Sequence, residues 1–164
     1  MRQKKKSDSS GEFARVAAEY CALVGRPKGK PHAFLEEAAR QIANLYAKAL
    51  TLPAARPGSI DEAVGGRPQD QRSRVYTAIK KKLGAENSYW EVFHARENED
   101  PVAASLADDL SDIWKDLQEG LDLWTSGKRE AAVWSWRFSL RSHWGHHATG
   151  ALKAIHDVLA AAES

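Results

Sequence analysis

Cysteine is almost missing from this 164-residue chain: Cys21 stands alone, so an internal disulfide is excluded. Long hydrophobic runs are missing too, and none approaches the roughly 20 apolar residues that a bilayer crossing requires. The first eleven residues are basic and polar and lack the apolar centre of a secretory signal. These absences point to a soluble protein kept in a reducing compartment, the cytoplasm. Strand signals are scarce as well. Tyr89–Phe93 (YWEVF) is the one stretch that resembles a strand, and it is too short and solitary to build a sheet, so it reads as an aromatic plug.

What remains is helical. With 43% apolar residues the chain is the size of one domain that can bury a real core. A basic flexible tail is expected over residues 1–11 and a single all-α domain over 12–162, a helical bundle of about five helices. Phe13–Val24 forms the first helix and stops at Gly25, with Pro27 beyond. Pro31 opens a second, in which Phe34, Leu35, Ala38, Ile42, Leu45, Tyr46 and Ala49 recur at helical steps until Pro53. Residues 53–68 collect proline and glycine and make a candidate lid. Gln69–Leu83 is a short helix with Val75, Ile79 and Leu83 inward and its lysines in solvent. Asp100-Pro101 reads as cap and first residue of a long helix ending near Ser126-Gly127. A last helical region runs from about Lys128 to Ala162, with a break or close contact at Gly145.

The net charge of +2 comes from the tail, whose four basic residues less Asp8 contribute +3 and leave −1 for residues 11–164. Charge is nevertheless polarised. Residues 66–82 carry six Lys/Arg against Asp70, and residues 97–119 carry eight Asp/Glu against Lys115. Such fields can steer outside partners, but mutual attraction within the fold is the favoured reading. Without interleaved aromatics the basic stretches give nucleic-acid binding little support, and no membrane contact is expected.

The informative region is Asp108–His156, where five of the six tryptophans lie between positions 114 and 144. Asp109 and Asp116 border the apolar stripe of the fourth helix and Asp112 lies a little further out, all three close enough to repel one another unless cations face them. Arg137 is the expected partner for Asp109, Asp112 or Asp116, because a semi-buried guanidinium needs a carboxylate fork. His143 and His147, one turn apart, sit on one margin of the last helix's apolar stripe and could share a ligand, while His146 faces solvent. Asp109, Asp112, Asp116, Arg137, His143 and His147 therefore form the candidate polar cluster. Within it Asp109, Asp112, His143 and His147 are candidate ligands for a divalent ion such as Mn²⁺, Fe²⁺, Mg²⁺ or Zn²⁺; no other cofactor is expected. Trp114, Trp134, Trp136 and Trp144 are candidates for an aromatic pocket or interface, with Trp134 and Phe138 directed outward. Cys21 packs as a small apolar group.

The segments YWEVF, SLADDLSDIWKDLQEGL and AAVWSWRFSLRSHWGHHATGALKAIH, with FLEEAARQIANLYAKALTLP earlier, cover roughly residues 13–160. Together they resemble an uncharacterised bacterial family of small helical proteins known as a domain of unknown function. The resemblance implies an all-α fold and a bacterial source and brings no reaction or catalytic residue. The first-ranked function is a non-catalytic protein-interaction or regulatory helical domain that binds a protein partner or a second copy. The alternative is a metal-dependent all-α hydrolase of nucleotides or phosphate esters at the Asp/His cluster. A third is an aromatic-lined small-molecule carrier, and whether the chain is an enzyme stays open at this level.

Overall fold

Apolar side chains that recur at three- and four-residue steps become the buried faces of helices in the computed structural model, which describes residues 8–58 and 69–162. Six α-helical segments result: α1 (Ser9–Gly25), α2 (Pro31–Ala49), α3 (Gln69–Leu83), α4 (Leu106–Thr125), α5 (Arg129–Ser139) and α6 (Gly145–Ala162). Five residues, Leu140–Trp144, form a π-helical turn that joins α5 to α6 without interruption, so the described residues form five helical rods. The all-α expectation holds. Residues 59–68 of the candidate lid and 1–7 of the tail lie outside the described residues.

Local chemistry sets the ends of these rods. The Asp8 carboxylate accepts from the Gly11 amide at 3.0 Å and starts α1 ahead of Phe13, while Pro31 stands in the first turn of α2. Helix α4 runs through the centre and packs on α1, α3, α5 and α6. Its attachment to α1 includes the Tyr20 hydroxyl, which donates to the Leu110 carbonyl at 3.0 Å. Phe13, Leu35, Ile42, Ile79, Leu110, Leu117, Trp136, Trp144 and Ile155 share one continuous core. The two central indoles are satisfied as buried donors must be: Trp136 Nε1 donates to Leu117 O and Trp144 Nε1 to Trp136 O, each at 3.2 Å. Cys21 is buried with its Sγ 3.8 Å from the Trp114 carbonyl.

Two sequence expectations need correction. Tyr89–Phe93 is not a solitary plug: Ser88–Glu91 (β1) pairs antiparallel with Val102–Ser105 (β2), in the register Ser88 to Ser105 and Glu91 to Val102. Nor does Asp100-Pro101 start the long helix. Strand β2 follows Pro101 directly, and α4 begins at Leu106, where the Ser105 hydroxyl accepts from the Asp108 amide at 3.3 Å. Ser105 and Asp108 form the stronger capping pair, and Asn87 reinforces it by accepting from the Ala107 amide at 2.8 Å. The residues VAAS of β2 carry too little bulk or alternation to announce a strand.

The π-turn also has a local cause. It holds one more residue than an α-turn and leaves Gly145 against the Leu140 carbonyl, where a Cβ would collide with the backbone oxygen. The break expected at Gly145 is thus a widened turn rather than a helix end. It carries His143 toward α4.

Candidate functional site

Helix α4 presents Asp109, Asp112 and Asp116 along one edge, with Asp108 beside them, and this repulsive row meets hydrogen-bond donors from two directions. The first is α3. Arg72 Nε donates to Asp112 Oδ1 at 2.6 Å and its Nη2 donates to Asp112 Oδ2 at 2.9 Å and to Asp108 Oδ1 at 2.5 Å. Bidentate bonding of this kind satisfies a largely buried guanidinium. The Asp112 bonds, and after them Asp108, outweigh desolvation and raise the Arg72 pKa further above its ordinary value.

The second direction is the π-turn and α6. His143 Nδ1 lies 2.8 Å from Asp116 Oδ2, and His147 Nδ1 lies 2.8 Å from Asp109 Oδ1. His147 Nε2 faces Asp112 Oδ2 at 3.6 Å. The two imidazoles meet edge to face with ring centres 4.8 Å apart. Burial raises the carboxyl pKa of both Asp109 and Asp116 and outweighs the lowering by their histidine partners. For His147, burial opposes the charged ring, but the bond to Asp109 and the charges of Asp109, Asp112 and Asp108 prevail and raise its pKa. The Asp109–His147 pair is thus a proton-sharing contact in a partly dry setting.

The hairpin closes the site from above. Tyr89 and Glu91 point inward from β1, and the Tyr89 hydroxyl lies 2.8 Å from Asp109 Oδ2 and 2.9 Å from Glu91 Oε2. One phenolic proton serves two carboxylates, so Tyr89 donates to one at a time. Burial, followed by the charge of Asp109, raises the Tyr89 pKa far above the usual phenol range and keeps it protonated. Gly150 of α6 makes this seat: a Cβ there would run into Glu91 and the Tyr89 hydroxyl. Beside the seat, Phe93, His94, Ser142, His143, His146 and His147 line a cleft of about 310 Å³.

Of the six residues expected in the polar cluster, Asp109, Asp112, Asp116, His143 and His147 come together and Arg137 does not. Its guanidinium donates instead to the Leu52 carbonyl beyond the end of α2. The reason lies in the helical projection. Arg137 follows the buried Trp136, whereas His143 and His147 precede the buried Trp144 and Ala148, so they flank the stripe on opposite margins. Arg72 takes the role assigned to Arg137. The signal for it was the basic field of residues 66–82 opposite the acidic field of 97–119. Tyr89, Glu91 and Asp108 complete the site and carried no sequence signal of their own.

The four candidate pocket tryptophans are mostly core. Trp136 and Trp144 are fully buried, packed against Phe13, Trp124 and Tyr46, and Trp114 is buried at the edge of a groove between α1, α3 and α4. Trp134 is half-buried and stacks on the exposed Phe138 with ring centres 5.0 Å apart. Ala54 and Ala55, at the near end of the 53–68 segment, line a cleft with this pair.

Comparison with known proteins follows this geometry. Residues 4–161 match the model of the family described as Domain of unknown function (DUF5063). The chain belongs to this family. A solved structure, protein BF1032 from Bacteroides fragilis, a structural-genomics target, is similar with a TM-score of 0.80 at 20% identity. The likeness covers 96% of this chain and 99% of that one, and it shows the fold. No curated protein matches the sequence. None of these findings carries a reaction, and they give the metal-dependent hydrolase weighed from the sequence no support. Among the described residues no helix is long and apolar enough to cross a membrane.

Proposed function

We propose that the chain is a protein-interaction domain of regulatory type, which docks a partner through the exposed apolar side chains of the β1–β2 hairpin. One observation carries the reading: Trp90 is 71% exposed, and Val92, Phe93 and Val102 on the same hairpin are exposed with it. These four are most of the large apolar side chains exposed among the described residues. Large aromatics on a protruding element are the usual anchors of an interface. The connecting loop supplies Glu97, Glu99 and Asp100 against Arg96, which makes it acidic. The partner is therefore a protein with an apolar socket edged by lysine or arginine.

The inner face of the hairpin supports the regulatory part. Trp90 lies between Tyr89, whose hydroxyl reaches Asp109 and through it His147, and Glu91, which lies within bonding distance of the same hydroxyl. A change at the buried pairs reaches the docking face through one strand. We place this activity in the cytoplasm, in line with the composition, and reserve no role in it for nucleic acid.

A photo-crosslinking residue at position 90 or 93, in cells that produce the chain natively, tests the reading. The expected outcome is one heterologous adduct, weakened when Glu97 and Glu99 are both changed to lysine and missing when the probe sits at the exposed Arg40. Adducts only with a second copy, or none above the Arg40 control, would overturn it.

A further inference from the structure

We propose that Asp112, His143 and His147 form a binding site for one divalent transition-metal ion at the floor of the cleft beside the hairpin. The three offer one ligand atom each, and these atoms all lie within 4.8 Å of one another. Asp112 comes from α4, His143 from the π-turn and His147 from α6, so the ion would bridge two rods of the bundle.

Several independent features point the same way. His147 and His143 each turn Nδ1 to a carboxylate, Asp109 and Asp116, at 2.8 Å. An imidazole that gives its Nδ1 proton to a carboxylate has a fixed orientation and keeps its Nε2 lone pair for a metal, the usual outer support of metal-binding histidines. His147 Nε2 faces Asp112 Oδ2 at 3.6 Å. A metal ion that displaces the proton from this nitrogen would be held between the two atoms. Bonds of about 2.0–2.2 Å to nitrogen and oxygen in a tetrahedral shell put neighbouring ligand atoms about 3.4 Å apart, close to the observed separation. The carboxylate of Asp112 has capacity to spare: Arg72 bonds to both oxygens, and an ionised carboxylate has about four acceptor sites.

Charge agrees with geometry. Asp108 and Asp112 share the guanidinium of Arg72, Asp109 and Asp116 face the two imidazoles and Lys115 lies near Asp116, so four carboxylates meet two fixed cations and leave an excess of negative charge. A divalent ion removes most of it. The turn that delivers His143 is a π-turn, a costly departure from the α-helix that recurs at functional positions. Two imidazoles with one carboxylate select ions such as Zn²⁺, Co²⁺ or Fe²⁺ over Ca²⁺ and Mg²⁺, which take oxygen ligands. Water reaches the ion from the half-exposed His143 side, leaving coordination positions open to the cleft.

The test is a Co²⁺ titration of the chelator-stripped full chain, followed by visible absorption and calorimetry, with Zn²⁺ as competitor. The expected result is one ion per chain, with absorption bands of a four- or five-coordinate centre that Zn²⁺ displaces. Asp112→Asn and His147→Ala should remove this binding while far-ultraviolet circular dichroism is unchanged, and Asp109→Asn should weaken it about 10–100-fold. If His147→Ala fails to fold, His143→Ala at the half-exposed position carries the same expectation. The exposed group His94, Glu97 and Glu99 on the hairpin loop is the competing locus. Absence of one-to-one binding, retention of it in Asp112→Asn, or its loss in Glu99→Gln would overturn the proposal.

Discussion

Arg72 grips Asp112 at two points, Nε on Oδ1 at 2.6 Å and Nη2 on Oδ2 at 2.9 Å, and so ties α3 to the acidic edge of α4. Both side chains are largely shielded from water, with exposures of 17% and 14%. Breaking one partner of such a pair leaves the other charge stranded, so Arg72→Ala should cost about 3 kcal/mol in urea unfolding. Arg72→Lys should recover little, because an ammonium cannot span both oxygens and Asp108 together. Arg137→Ala is the contrast. It loses a bond to the Leu52 carbonyl and should cost about 1 kcal/mol. Equal losses for the two arginines would reject this assignment of roles.

How far the sequence reveals this arrangement depends on the kind of signal. The rods were legible because Phe34, Leu35, Ala38, Ile42 and Leu45, or Leu106, Leu110, Ile113 and Leu117, repeat at helical spacing and are all buried. Asp109, Asp116, His143 and His147 could be placed at stripe margins for the same reason. Which margin faces which neighbour was not legible, since that depends on how rods pack, and Arg137 was therefore matched to the wrong side. The hairpin was hidden for a different reason: β1 and β2 are separated by ten residues, 92–101, and Asp100-Pro101 imitates a helix start. Only the tertiary pairing of Tyr89 with Asp109 makes the strand intelligible.

The tryptophans range from core to surface, and the two extremes predict opposite responses. Trp136 is fully buried against Phe13 and Trp124, and Trp136→Ala should destabilise by about 3–5 kcal/mol. Trp90→Ser touches no core contact and should change stability by no more than about 0.5 kcal/mol. It should also remove the most solvent-quenched part of the fluorescence. A fall in melting temperature for Trp90→Ser comparable to that of Trp136→Ala would mean that the hairpin face is part of the fold and not a docking surface.

The hairpin loop carries its own acid–base clip. His94 Nδ1 lies 2.7 Å from Glu99 Oε1, and the His94 amide donates to Glu99 Oε2 at 3.3 Å. The bond to Glu99 raises the His94 pKa, and the same bond lowers that of Glu99. For a raised histidine, the contribution is full below its unfolded value and is lost as pH rises through the folded one. For a depressed carboxyl, it is present above the unfolded value and lost as pH falls through the folded one. The clip is therefore tightest in the mildly acidic window between the two. Proton NMR titration should place His94 above an unpaired histidine and return it toward the ordinary value in Glu99→Gln. An unchanged His94 titration in that variant would dismiss the clip.

Gly150 makes the most direct link between the bundle and the hairpin. A methyl group at this position collides with the Glu91 carboxylate and the Tyr89 hydroxyl, both of which are anchored from the far side by the strand pairing of β1 with β2. Neither neighbour is a loose surface tip: Tyr89 is half-buried and bonded to Asp109. Gly150→Ala should therefore lift the hairpin as a unit rather than be absorbed by one rotamer, at a cost of about 1–3 kcal/mol. The helix gains propensity from the same change, worth about 1 kcal/mol, so a purely local view predicts stabilisation. Amide exchange separates the two outcomes. Faster exchange confined to residues 88–91 and 102–105, with α6 unchanged, marks the displaced hairpin. A variant more stable than the parent, with the hairpin still protected, would show that the seat of Tyr89 on α6 is slack and that the buried pairs have no rigid path to Trp90.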